Sequence, residues 1–256
     1  MRTRFLSAVA AAALLVAGCG ETSQPTSPTS SGPKGSITVF AASSLTAAFG
    51  SISADFQKAY PGTMIHFAFA GSATLVAQIQ QGAIGDVFAS ADQANMQKLV
   101  NGGLTAGSPS IFARNKLQIV VPSGNPKHVT GLADLSRAGL VVVLCAPAVP
   151  CGHYAAEALK KANVTVTPAS QETDVKAVLT KVALGEADAG IVYLTDVKAA
   201  GVQLQGVDIP DSLNVIADYP IVVLKDSQDV GLAKAFIGYI HANGQRTLAH
   251  YGFLPA

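Results

Sequence analysis

The sequence predicts an α/β fold in two lobes, and three observations carry that reading. Short runs rich in β-branched residues alternate with segments of three-to-four apolar spacing from Ile37 onward, with no repeat period between them. That alternation is the grammar of βαβ units and implies a largely parallel sheet covered by helices. The pattern restarts after Lys116, and a last strand and helix return after Pro220. A single large doubly wound sheet is the alternative that the same pattern allows.

Taken in order, Ile37–Ala41 reads as the first strand. Leu45, Ala48, Phe49, Ile52, Phe56 and Ala59 then fall on one helical face, which Pro61 and Gly62 terminate. Met64–Phe69 is a strand, a helix carries Leu75, Val76 and Ile79 and ends at Gly82, and Asp86–Ser90 is the next strand. After Lys116, strands are expected over Leu117–Val121, Leu140–Leu144 and Ala189–Val192. Helices are expected through Tyr154, Ala158 and Leu159 and from Val175 to Leu184. Ile221–Leu224 and a helix from Val230 to Ala242 follow. The implied division puts residues 36–115 and 225–256 in lobe 1 and residues 116–224 in lobe 2.

Residues 1–18 read as an export signal: Arg2 and Arg4, an apolar run from Phe5, then the small pair Ala17 and Gly18 before Cys19. The run is too short to span a bilayer, and no second apolar run of about 18 residues follows. Leu15-Val16-Ala17-Gly18-Cys19 resembles the lipobox of bacterial lipoproteins, which implies that Cys19 is lipidated and anchors an extracytoplasmic domain to the cell membrane. Residues 19–35 are then that cysteine and a disordered tether, since Gly20–Ser36 contains no aliphatic or aromatic residue. Removing residues 1–18 takes the net charge from +1 to −1. With 13% charged residues and no basic run, the chain lacks the footprint of a nucleic-acid binder. Cys145 and Cys151 are the remaining cysteines; in an oxidising compartment they form a disulfide clamping a small loop, with two free thiols as the alternative.

Three helices start beside hydroxyl-rich or acidic turns: Ser43-Ser44, Gly71-Ser72-Ala73-Thr74 and Glu172-Thr173-Asp174. Helix capping alone accounts for such residues. Yet these turns follow strands, where open α/β sheets bind ligands, and a helix N-terminus supplies free N–H groups and partial positive charge. Several converging termini could hold a dianion without Arg or Lys. Enzymatic patterns are weak. The five histidines, His66, His128, His153, His241 and His250, lack metal-ligand spacing, and Ser31 to Lys34, the sole S-x-x-K, lies in the tether. Asp86 and Asp92 read as loop and helix-cap anchors rather than an acid/base pair.

The blocks Val39–Thr46 (VFAASSLT), Phe69–Leu75 (FAGSATL), Gly85–Asp92 (GDVFASAD), Pro150–Tyr154 (PCGHY), Thr173–Lys176 (TDVK) and Gly190–Tyr193 (GIVY) resemble, in order, the signature blocks of the molybdate-binding proteins of ABC importers. The resemblance implies a two-lobed periplasmic-binding-protein fold, type II-like with two crossover strands. It implies a binding protein rather than an enzyme, with molybdate or tungstate as ligand, an importer permease as partner and no cofactor. The ligand set carried over is Ser44 and Ser72 with their own amides, the amides of Cys151 and Val175, and the Tyr193 hydroxyl. Molybdenum enters only as an oxyanion with no direct protein ligand, and a monomer is expected. Cys151 stands where the family often has a small aliphatic residue, but only its N–H is needed. A fully ionised dianion accepts hydrogen bonds and donates none, so a donor-only pocket suits it. A sulfate-binding or other oxyanion-binding lipoprotein is the nearest alternative reading, and a secreted serine hydrolase using Ser72 a more distant one.

Overall fold

The computed structural model describes residues 32–256; the signal, Cys19 and most of the tether lie outside the described residues. Among the described residues, nine strands and eight α-helices follow one another as β1 Gly35–Ala42, α1 Thr46–Ala59, β2 Thr63–Ala70, α2 Ser72–Gln80, β3 Val87–Ala89, α3 Gln93–Asn101, β4 Ser110–Pro122 and β5 Val142–Cys145. Then come α4 Pro150–Lys161, β6 Ser170–Glu172, α5 Val175–Ala183, β7 Ala189–Tyr193, α6 Leu194–Ala200, β8 Leu204–Asp208, β9 Ile216–Val223, α7 Val230–Ala242 and α8 Gln245–His250. None of the described helices is long and apolar enough to cross a membrane.

The strands run in the order β2-β1-β3-β9-β4-β7-β5-β6, with β8 on β4. β2, β1 and β3 are mutually parallel, as are β6, β5 and β7. The largely parallel sheet predicted from the sequence needs correction in the middle, where β4 and β9 pair antiparallel with each other and with their flanking strands. These are the two crossover strands. Ser110–Lys116 of β4 pairs with β9, whereas Leu117–Val120 pairs with β7, so the strand changes partners where the sequence pattern restarts.

Strand alternation decides which core each side chain joins. In β1, Ile37, Val39 and Ala41 enter one buried cluster with Phe49, Ile52, Phe56 and Phe236, while Phe40 enters another with Leu75, Val76, Phe88 and Leu99. Helices α1 and α7 therefore cover one face of this half of the sheet, and α2 and α3 the other. The first cluster continues through β4, β5 and β7 into the second half.

Two devices shape the far end of β5. Cys145, its last residue, is joined by a disulfide to Cys151 in the first turn of α4. Next to it, a Cβ on Gly152 would lie 2.1 Å from the Ala146 carbonyl, so only glycine lets α4 start this close to the strand. Asp86 anchors the opposite half. It accepts from the amides of Thr38, Gln228 and Asp229 and from the Ser227 hydroxyl, tying β3 to the turn before α7. Burial pushes its pKa up, but those donors outweigh it and hold the carboxyl below its ordinary value. Asp92 caps α3 by accepting from the Asn95 amide.

Candidate functional site

The carboxyl ends of all six parallel strands converge on one cavity. Ser43 and Ser44 follow β1, Gly71 and Ser72 follow β2, and Ala91 follows β3. Val149, Pro150 and Cys151 follow β5, Asp174 and Val175 follow β6, and Tyr193 ends β7. These residues line about 200 Å³ of atom-free space, part of it open to solvent. All five residues predicted for the ligand, Ser44, Ser72, Cys151, Val175 and Tyr193, are among them.

Four of the five bring amides that no helical carbonyl can reach. Ser72 and Val175 are the first residues of α2 and α5, Cys151 is the second of α4, and Ser44 lies in the 3₁₀ turn Ser43–Leu45 before α1. The first N–H groups of a helix lack intrahelical acceptors and carry its positive end. Among the described residues that line the cavity there is no Lys, Arg or His, so the positive ends it offers a ligand are those of backbone dipoles.

The serines are not helix caps, contrary to the simplest sequence reading: neither α1 nor α2 has a side-chain cap. The Ser44 hydroxyl is instead 2.9 Å from the Tyr219 hydroxyl, and the Ser72 oxygen accepts from the Ala91 amide at 3.0 Å. Of the three turns, only Asp174 caps its helix, accepting from the Lys176 and Ala177 amides. It also brings a carboxylate to the cavity wall, which the five predicted positions do not contain. Its engagement with the α5 N-terminus offsets that charge. The TDVK block held the residue in view; its capping role hid its place at the wall.

Tyr193 is the donor without a protein partner. Its side chain is 1% exposed, and its hydroxyl makes no hydrogen bond within the protein. Burial, reinforced by Tyr219, Tyr154 and the charges of Asp92 and Asp196, pushes its phenol well above the ordinary range, so it stays protonated and able to donate. Its backbone is held by Asp196, whose Oδ2 accepts from the Tyr193 amide at 3.1 Å. Burial pushes the Asp196 carboxyl up to about 7, against the pull of Lys176, 3.9 Å away, and of the Tyr193 amide.

The two halves meet directly beside the cavity. A Cβ on Gly71, after β2, would lie 2.2 Å from the Thr173 carbonyl, after β6. Sequence reasoning missed Tyr219, which stands behind Ser44 on β9; a buried Tyr beside Pro220 was the available signal. Among the described residues no group of three or more His, Cys, Asp or Glu could hold a metal ion.

Two parallel strand sets joined by two crossover strands, with helix N-termini converging between them, define a solute-binding protein. The chain belongs to the bacterial extracellular solute-binding proteins, whose family model matches residues 37–254. Within that class it is 43% identical over 260 residues to the molybdate-binding protein ModA of Mycobacterium tuberculosis H37Rv, covering 99% of each chain. Among solved structures it is similar to the periplasmic molybdate-binding protein of Azotobacter vinelandii, with a TM-score of 0.73, 21% identity and coverage of 86% of this chain and 99% of that one. The sulfate-binding protein SubI of M. tuberculosis H37Rv gives a TM-score of 0.79 at 20% identity, covering 86% and 87%; both likenesses show the fold.

Proposed function

We propose that the protein captures molybdate, and tungstate with it, outside the cytoplasmic membrane and delivers it to an ABC importer permease, acting as a monomeric binding protein and not as an enzyme. The observation that carries the reading is the Tyr193 hydroxyl: buried, protonated and unpartnered in the protein, at a cavity whose other donors are backbone amides and serine hydroxyls. Such a wall complements an anion that only accepts hydrogen bonds. The identity to ModA supports molybdate as that anion.

In this reading Ser44 and Ser72 donate through hydroxyl and amide, Cys151 and Val175 through amides, and Tyr193 through its hydroxyl. Ser44 and Ser72 belong to a lobe of residues 36–115 and 225–256, the other three to a lobe of residues 116–224, so a full donor set requires the lobes to be closed. Cys19 is the lipid anchor, and residues 19–35 the tether that gives the domain reach to a permease. The test is Ser72→Ala. It removes one donor to a charged acceptor, which should weaken molybdate binding roughly tenfold to a hundredfold. Parent-like affinity in calorimetry would remove Ser72 from the site.

A further inference from the structure

The hydrogen bonds behind Ser44 have a definite direction. Asn115 on β4 is fully buried, and its Oδ1 accepts from the Lys116 amide at 3.0 Å, which fixes the orientation of the side-chain amide. Its Nδ2 therefore faces the Thr195 hydroxyl, at 2.8 Å, and the Tyr219 hydroxyl, at 3.3 Å, and to both it can only donate.

Tyr219 has one proton and accepts from Asn115. The Ser44 oxygen, 2.9 Å away, is the acceptor in reach for that proton. With the Ser44–Tyr219 bond reversed, the phenol proton would be buried without a partner, which is unfavourable. Burial, with the Asp196 charge adding, pushes the Tyr219 phenol well above its ordinary range, so the proton is there to give. Ser44 thus accepts from the protein and has its own proton left for the cavity. Ser72 is set the same way, because its oxygen accepts from the Ala91 amide.

We infer that Tyr219 and Asn115 are positioning residues that fix the polarity of Ser44, turning its hydroxyl proton toward the cavity and making the site selective for an unprotonated oxyanion over one that carries a proton. The inference rests on the proposed ligand reading. A protonated oxyanion needs an acceptor for its proton, and a serine already accepting from Tyr219 does not offer its lone pairs freely. Without Tyr219's hydroxyl the Ser44 hydroxyl can rotate and accept.

The test is a double-mutant cycle on the full chain, titrated with sodium molybdate: parent, Tyr219→Phe, Ser44→Ala and the double variant. Tyr219→Phe should weaken molybdate about tenfold in the parent and less than about twofold in the Ser44→Ala background, because it acts through Ser44. Inorganic phosphate, titrated directly, should also bind Tyr219→Phe more tightly than the parent. Equal losses in both backgrounds, no loss in the parent, or phosphate binding no tighter than in the parent would overturn the inference. Asn115→Asp, which turns the donor into an acceptor, gives a second cycle if Tyr219→Phe does not fold. Its loss must be larger with Ser44 present than in Ser44→Ala, and an equal loss refutes the relay. Unchanged affinity of Ser44→Ala alone would sink the ligand reading itself, a separate failure that takes the relay with it.

Discussion

Tyr193→Phe separates the site from the fold because its two effects differ in sign. The ring is 1% exposed and packs edge-on to Tyr219 with centroids 5.8 Å apart, and Phe keeps that packing. Only the hydroxyl is lost. Toward a bound dianion it is a donor to a charged, desolvated acceptor, and losing it should cost about 1.5–3 kcal/mol, or roughly tenfold to a hundredfold in Kd. Toward the fold it contributes no hydrogen bond within the protein. The unliganded variant should therefore be as stable as the parent or up to about 1 kcal/mol more stable, a rise of at most about 2–4 °C in Tm for a domain of this size. Calorimetry with molybdate and thermal melts with and without ligand read both quantities. A drop of several degrees in the unliganded Tm with unchanged affinity would refute the reasoning, since the hydroxyl would then be serving the fold.

Three further perturbations probe separate parts of the account. Asp196→Asn tests the buried carboxyl. Its pKa in the folded protein, about 7, is above the ordinary 3.8, so the native state holds a proton that the unfolded chain has released, and the carboxyl's contribution to stability falls as pH rises from about 4 to 7. Relative to the parent, the variant should gain on the order of 2 kcal/mol between pH 5 and pH 8 in urea unfolding; a difference that does not change with pH contradicts the assignment. Replacing both Cys145 and Cys151 by Ser opens a short loop, and the chain-entropy argument gives a loss of about 2 kcal/mol. It should also weaken molybdate by loosening the Cys151 amide, whereas affinity equal to the parent would make the bridge purely structural. Cys19→Ala should leave the protein soluble or uncleaved on cell fractionation, and a mature membrane-bound variant would remove Cys19 as the anchor.

Much of the first half was legible because its helices and strands each bury one periodic face. Phe49, Ile52 and Phe56 announce α1, and the β1 and β2 runs are bounded by turn residues. Helix α3 was not, since Gln93–Asn101 buries only Asn95, Met96 and Leu99 and is otherwise polar. Nor were the full lengths of β4 and β9. Arg114, Asn115 and Lys116 look like a turn, yet they lie in a strand because Asp218 pairs with Arg114 and Asn115 is satisfied internally. The five candidate site positions came from motif blocks. What the blocks could not contain was the third dimension: that the Ser44 and Ser72 hydroxyls are spoken for by Tyr219 and the Ala91 amide and not by helix ends, and that Asp174 faces the cavity while capping α5. Those facts depend on contacts between residues 19 to 175 positions apart.

The central claim is that a wall of neutral donors selects a fully ionised tetrahedral oxyanion. Parallel calorimetric titrations of the purified protein with molybdate, tungstate, sulfate and phosphate at neutral pH address it most directly. The account predicts tight binding of molybdate and tungstate, with phosphate at least about a hundredfold weaker, because the amides and hydroxyls give its proton no acceptor and Asp174, the carboxylate at the wall, is engaged by the Lys176 and Ala177 amides. Phosphate binding as tightly as molybdate, or no heat with any of the four anions, would contradict it.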